Sequence, residues 1–141
     1  MNYKLSNGNL TLEVSSAGGE MQSIMDRNNV EYLWQGDPAY WSRRALNLFP
    51  YVGRLYEKCY IYKGKRYPLE IHGFSADAEY KAMEVNKEKL LFEMRITDEM
   101  RKCYPFEYSY QIEYQLVDNA VQISYIVRNY GQETMYFGLG G

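Results

Sequence analysis

The sequence contains few of the residues that mark metal-binding, disulfide-rich or nucleic-acid-binding proteins. Its 141 residues include two cysteines and one histidine, and 16 basic side chains against 18 acidic ones give a net charge of −2. Cys59, Cys103 and His72 are too few and too far apart for a zinc site, and the pattern does not support a disulfide. The balanced charge creates no long-range field that would attract nucleic acid or an anionic membrane. We therefore predict no metal, no nucleic-acid partner and no membrane partner.

Long hydrophobic runs are also missing. No stretch approaches the roughly 20 apolar residues of a membrane span. The first ten residues, MNYKLSNGNL, lack the apolar segment of a secretory signal peptide. The sequence thus predicts a soluble cytoplasmic protein. No linker, repeat or low-complexity segment divides the chain, so residues 1–141 are expected to form a single β domain.

Tyrosine is what the sequence has in excess, with 16 residues against five phenylalanines and two tryptophans. Tyrosine favours strands, where its ring packs and its hydroxyl reaches water or a polar partner. Apolar and polar residues alternate over Phe106–Leu116, turn residues follow at Asp118-Asn119, and a second alternating run covers Val121–Val127. This period of two predicts a half-buried antiparallel hairpin whose tyrosines face the core.

Further alternating or turn-bounded segments extend this pattern along the chain. They are Leu10–Val14, Met21–Asp26, Val30–Trp34, Tyr60–Tyr62, Arg66–Leu69, Lys81–Val85 and Leu90–Ile96. Connections of a few residues are too short for the crossovers that parallel strands need. The sequence therefore predicts an all-β fold, an antiparallel β-sandwich, with helix limited to short turns near Pro38–Trp41 and Asp98–Cys103.

One irregular segment, Ser42–Ser75, interrupts the strands and holds three arginines near its start and middle together with the histidine. Scaffolds made of strands usually carry function on such segments. Five sequence blocks in and around it, in this order and spacing, resemble the aldose 1-epimerase family, and most closely its divergent mutarotase-related branch. The blocks are LWQGDPAYW (Leu33–Trp41), LFPYVGRL (Leu48–Leu55), HGFS (His72–Ser75), YPFEYSYQIEYQL (Tyr104–Leu116) and VRN (Val127–Asn129).

The resemblance implies that this chain is the N-terminal half of a large antiparallel β-supersandwich. Members of the family interconvert the α and β anomers of a sugar without a metal or other cofactor. Their acid is the histidine of a His-Pro pair and their base is a later glutamate. The resemblance places both beyond this chain, so the 141 residues alone are expected to be inactive. Typical galactose mutarotases follow the Gly-Arg pair with Asn and a second Arg, whereas Leu55-Tyr56 follow Gly53-Arg54 here, so galactose is not indicated as the sugar.

The resemblance also assigns three candidate site residues. His72, the candidate catalytic and substrate-binding residue, matches the first active-site histidine of the family, which holds the sugar hydroxyls. Arg54, a candidate substrate-binding residue, matches an arginine near the reacting end of the sugar. Phe74 either lines the pocket or anchors the loop. Without the family, a lone histidine beside glycine is more often a hydrogen-bonded loop residue, and Arg54 would form a surface ion pair, with Glu57 as a candidate partner.

Other interpretations of the same residues remain open. The chain could be a β-sandwich that binds carbohydrate without turnover, or an interaction protein that keeps the mutarotase shape. A reading frame that continues beyond codon 141 into a His-Pro pair and a later glutamate would favour the enzyme. Trp34 and Trp41 could stack on a sugar, although core packing is the stronger expectation. Unpaired edges and an uncovered apolar face also predict self-association, near Phe106–Val127 or Met135–Leu139.

Overall fold

The computed structural model describes residues 1–141 and consists of three antiparallel sheets. The strands are β1 (Asn2–Ser6), β2 (Leu10–Ser15), β3 (Met21–Asp26), β4 (Cys59–Tyr62), β5 (Lys65–Pro68), β6 (Tyr80–Val85), β7 (Lys89–Met94), β8 (Tyr108–Val117) and β9 (Ala120–Asn129). β1 to β3 form one sheet, β4 and β5 a separate hairpin, and β6 to β9 a four-stranded sheet in sequential order. Helical structure is limited to α1 (Asp98–Cys103) and to 3-10 turns at Tyr56–Lys58 and Ser75–Asp77. The predicted all-β antiparallel class is confirmed.

β8 and β9 form the hairpin that the alternating pattern predicted. Their register runs from Tyr108 opposite Asn129 to Val117 opposite Ala120. Asp118 makes the tight turn with a positive φ of 52°. The inward side chains of β8 lie in the core, and its tyrosines are at most 5% exposed. The prediction that this tyrosine face packs inside the fold, rather than forming a surface platform, is therefore confirmed.

The core lies between the three-stranded and the four-stranded sheet. The ring of Tyr3 meets the ring of Phe92 edge-on, with centroids 5.2 Å apart, so the two sheets are in direct contact. A single cluster of 17 buried apolar side chains connects them. Its fully buried members include Leu5, Leu12, Val14, Phe49, Leu90, Phe92, Tyr110 and Ile112. Removal of these side chains from water is the main favourable contribution to folding.

The irregular segment enters this core at Asn47, a buried polar residue. Its Nδ2 donates to the carbonyl oxygens of Gly18 and Gly19, both at 3.0 Å, and its Oδ1 accepts from the Tyr125 hydroxyl at 2.9 Å. The Tyr114 hydroxyl donates to Gly19 O at 2.6 Å. A buried amide without partners would be costly, so these bonds fix the segment around Asn47 against both sheets.

The segment after β3 differs from its prediction as a strand. Over Val30–Trp34 only Glu31 makes an isolated bridge, to Met25. The Glu31 carboxylate accepts hydrogen bonds from the amides of Ile24 and Leu33, both at 2.9 Å. This side chain takes donors that a regular ladder would use, so the chain leaves the sheet here.

The two tryptophans lie outside the core, so the expectation of core packing is wrong. Trp34 is 44% exposed and Trp41 is 47% exposed. The indole Nε1 of Trp34 donates to the carbonyl oxygen of Trp41 at 2.8 Å, and its ring meets Tyr40 edge-on. The two tryptophans therefore contact each other within the loop that follows β3.

Membrane-spanning helices, metal-binding clusters and disulfides are all absent from the structure. The helices are all too short to cross a bilayer. No group of three or more histidine, cysteine or carboxylate side chains could hold a metal ion. Cys59 and Cys103 are free thiols.

Buried tyrosines make the fold sensitive to alkaline pH. Burial raises the pKa of seven hydroxyls, those of Tyr60, Tyr80, Tyr104, Tyr108, Tyr110, Tyr114 and Tyr125. In the unfolded chain they would ionise near pH 10 or so. Because the folded pKa is raised, the native state prefers the neutral hydroxyls, and their contribution to stability is complete below about pH 10 and is lost as the pH rises further. Above that pH we expect the tyrosinate absorbance to increase while the β circular dichroism signal decreases over the same pH range. Ionisation of all tyrosines with the signal intact would contradict this.

Candidate functional site

His72 lies in the loop between β5 and the 3-10 turn at Ser75–Asp77. It is partly buried and has a φ of 65°, in the left-handed region that few side chains adopt. Gly73 follows with a φ of 74° and lies against the Phe49 carbonyl and the Pro50 ring, where a Cβ atom would collide. The amides of Phe74 and Ser75 both donate to Phe49 O, at 3.1 and 3.2 Å. The loop that presents His72 is thus fixed to the segment around Phe49.

A second loop meets His72 at Gly53. The His72 amide donates to Gly53 O at 2.9 Å, and the Gly53 amide donates to the imidazole Nδ1 of His72 at 3.0 Å. Gly53 has a φ of 100°, a conformation that favours glycine. This reciprocal pair joins two of the five blocks that carried the resemblance, the one with Gly53-Arg54 and the one with His72-Gly73.

Arg54 follows Gly53 directly, so the structure brings it to the same pair of loops as His72. Its side chain is exposed and forms no hydrogen bond or ion pair within the chain. The expected ion pair with Glu57 is wrong, because the Glu57 carboxylate binds the guanidinium of Arg66 at 2.7 Å. Arg54 is therefore an unpaired cation on the loop whose Gly53 binds His72.

The ring of Phe74 packs against the core in a way that anchors its loop. Its ring meets the rings of Phe49 and Tyr104 edge-on, with centroids 6.3 and 6.4 Å apart. It is one of the partly buried residues that pack against the main core. The aromatic contacts hold the backbone of the loop two residues after His72.

An apolar cavity of about 480 Å³ opens beside the Gly53 loop. The wall includes Pro50, Tyr51, Val52, Leu55, Phe106 and Phe137. The Tyr104 hydroxyl in this wall donates to the Tyr136 carbonyl at 2.7 Å, and burial raises its pKa. The volume is typical of ligand sites, but neither His72 nor Arg54 lines the cavity. Sequence patterns did not indicate it, because its walls come from segments far apart in the chain.

Several known proteins share the fold of this chain. A galactose mutarotase related enzyme from Lactobacillus acidophilus superimposes with a TM-score of 0.95 and 37% identity, over 99% of this chain and 47% of that one. A galactose mutarotase-like protein from Lactobacillus casei gives a TM-score of 0.95 and 30% identity, over 99% and 48%. Protein LacX, plasmid, of Lactococcus lactis subsp. lactis is 32% identical over 146 residues, which cover 99% of this chain and 49% of LacX.

The architecture is thus that of mutarotase-like antiparallel β proteins. The family model described as Aldose 1-epimerase matches residues 1–141, so this chain belongs to the aldose 1-epimerase family. The chain spans about half the length of the curated relatives it matches. The similarity over that half confirms the resemblance inferred from the five sequence blocks.

Proposed function

We propose that this chain forms the sugar-holding side of an enzyme that interconverts the α and β anomers of a sugar. The observation that carries the proposal is the reciprocal hydrogen bonding between Gly53 and His72, which joins the loop of the family-matching histidine to the residue before the unpaired Arg54. Both side chains would reach one small ligand on the same face. Phe74 belongs to the site as the anchor of its loop, with its contribution to ligand contact to be tested by substitution.

The reaction opens and recloses a hemiacetal ring. A base takes the proton of the C1 hydroxyl, an acid protonates the ring oxygen, rotation about the C1–C2 bond follows, and the transfers then reverse. In the proposal His72 holds sugar hydroxyls, and Arg54 orients the reacting end and stabilises negative charge that develops there. A role in carbohydrate metabolism in the cytoplasm, with a hexose as the ligand, follows from this proposal.

The 141-residue chain alone should not accelerate mutarotation. The reaction needs one acid and one base, which suit histidine and a carboxylate near neutral pH, whereas His72 is the one histidine of the chain and no carboxylate hydrogen-bonds it. Polarimetry of freshly dissolved α-glucose and α-galactose should give the buffer rate with and without the protein. A rate clearly above buffer that His72→Asn abolishes would mean that the active site is a different one.

A carbohydrate-binding module without turnover is the second candidate function. The observation that favours it is the continuous core of 17 buried side chains, which a self-standing sandwich would need. Two measurements separate the candidates: titration of this chain with the same two sugars, and polarimetry of full-length relatives. A binding module would bind the sugars with an affinity that depends on Arg54, and its full-length relatives would show no turnover. An enzyme would show turnover in the full-length relatives.

We also propose that the chain self-associates through β9. This ten-residue strand pairs only with β8, so its other edge is open. Its inward side chains, unlike those of β8, stay partly exposed, and Arg128 is its only charge. An open, long and weakly charged edge is a template for another strand. A second copy could pair with it about a two-fold axis, the commonest symmetry of soluble oligomers.

Size-exclusion chromatography with light scattering tests this association. We expect a dimer or larger species at tens of micromolar, and Gln122→Lys on the edge strand should shift it toward monomer. Gln132→Lys, the same change in the exposed segment after β9, serves as the matched control and should not. A heat-stable monomer of the unaltered chain would show that the sandwich closes its own core.

A further inference from the structure

The imidazole of His72 is held at one particular nitrogen. The Gly53 amide donates to Nδ1, so Nδ1 must be the unprotonated nitrogen. A neutral imidazole has one donor and one acceptor nitrogen, so its proton lies on Nε2. The hydrogen bond to one ring nitrogen commonly sets the state of the other. His72 therefore presents an N–H group, not a lone pair, on the side of the ring away from Gly53.

The backbone on both sides of His72 is fixed, and the Gly53 amide favours one orientation of the ring. The His72 amide is bound to Gly53 O at 2.9 Å, and the Gly73 amide donates to Glu70 O at 3.0 Å. Gly73 lies directly against Phe49 and Pro50. A flip of the ring would place a carbon atom opposite the Gly53 amide and leave that donor without its partner, which is unfavourable in a partly buried position.

We propose that the Gly53 amide is a positioning group that locks His72 as a hydrogen-bond donor toward its ligand. His72 then meets an oxygen of the ligand through Nε2–H and does not serve as the base. Arg54, the next residue, is likewise a donor only. The two side chains together present donors to one oxygen-rich ligand, whose accepting oxygens they bind as negative charge develops. The identity of that ligand as a sugar rests on the proposed function, but the tautomer of His72 does not.

Nuclear magnetic resonance on the intact chain tests the tautomer directly. Because the chain has one histidine, labelling with ¹⁵N-histidine gives one imidazole spectrum without assignment problems. At a mildly alkaline pH we expect a protonated Nε2, an unprotonated Nδ1, and a coupling across the hydrogen bond between Nδ1 and the Gly53 amide nitrogen. A protonated Nδ1, or a Gly53 amide that exchanges as fast as an exposed loop amide, would overturn the proposal.

Two substitutions separate positioning from general loop stability. His72→Asn keeps an acceptor near the place of Nδ1 and tolerates a positive φ, so the Gly53 amide should stay protected from hydrogen exchange. His72→Ala removes the acceptor, and exchange should become roughly tenfold faster. Equal exchange in the two variants would contradict the lock.

Addition of D-glucose or D-galactose distinguishes this inference from the proposed function. A shift of the Nε2–H signal on addition of sugar supports both. If the tautomer and the Gly53 coupling hold but neither sugar moves the His72 signals, the donor lock stands and the sugar as ligand is rejected. If a sugar binds while Nδ1 carries the proton, the donor lock is rejected and the sugar site stands.

Discussion

Replacing Phe49 with alanine should lower the free energy of unfolding by about 3–5 kcal/mol, the usual cost of removing a buried phenylalanine ring. Phe49 is fully buried. Its ring stacks on Tyr110 with centroids 4.4 Å apart and an interplanar angle of 8°, and it meets Tyr104 and Tyr108 at 6.0 and 5.6 Å. The substitution leaves a cavity at the centre of this aromatic cluster, and the surrounding strands restrict its collapse.

Urea denaturation followed by circular dichroism measures the effect, with the midpoint shifting at unchanged slope. Phe137→Ala is the matched control, because Phe137 contacts the same ring at 5.7 Å but is 48% exposed. It should cost much less. Phe49→Leu retains most of the buried volume, so it should lower the free energy of unfolding by less than Phe49→Ala does. Equal losses for Phe49→Ala and Phe137→Ala would show that Phe49 does not organise the core.

His72→Asn and Arg54→Ala should each lower turnover by roughly tenfold to a thousandfold in a full-length relative that carries the same residues. This is the scale of losing one positioned donor or proton-handling group. Asparagine preserves the acceptor for the Gly53 amide but does not reach as far as Nε2. The loss of turnover in this variant therefore measures the contribution of the Nε2–H donor. Alanine at Arg54 removes a guanidinium that has no structural partner in this chain, so folding should be unaffected.

Arg66→Ala provides the matched control for Arg54→Ala. Arg66 is exposed too, but its guanidinium binds Glu57. Exposed ion pairs contribute little to stability, so this variant should retain turnover. Polarimetry gives the rate, and thermal unfolding verifies that each variant is folded. Full turnover in both His72→Asn and Arg54→Ala, at intact stability, would remove these residues from the proposed site.

Local sequence patterns predicted most of the strands because the side-chain period of two depends only on neighbouring residues. The hairpin of β8 and β9 has the predicted turn at Asp118, and the tyrosines of β8 are buried as expected. β1 (Asn2–Ser6) was not predicted, since Leu5 is the only buried residue in it. Val30–Trp34 has strand-forming residues, yet the contacts of Glu31 direct it out of the sheet.

The sequence could predict site residues only through the five family blocks. The residue types themselves did not distinguish His72 from an ordinary loop histidine, or Arg54 from a surface cation. Gly53 gave no signal of its role, because that role is carried by a backbone amide that contacts a ring 19 residues away. The same applies to Phe49, whose carbonyl binds the amides of Phe74 and Ser75.

By itself, then, the amino-acid sequence determined the antiparallel β class, the buried tyrosine face and membership of the aldose 1-epimerase family. These depend on alternation and on ordered blocks of residues, both of which are properties of the linear chain. Only the tertiary structure decided that Trp34 and Trp41 stay at the surface and that Gly53 fixes one nitrogen of His72. Those outcomes depend on which distant segments meet, and such contacts form only when the sheets pack and the loops between them satisfy their backbone hydrogen bonds.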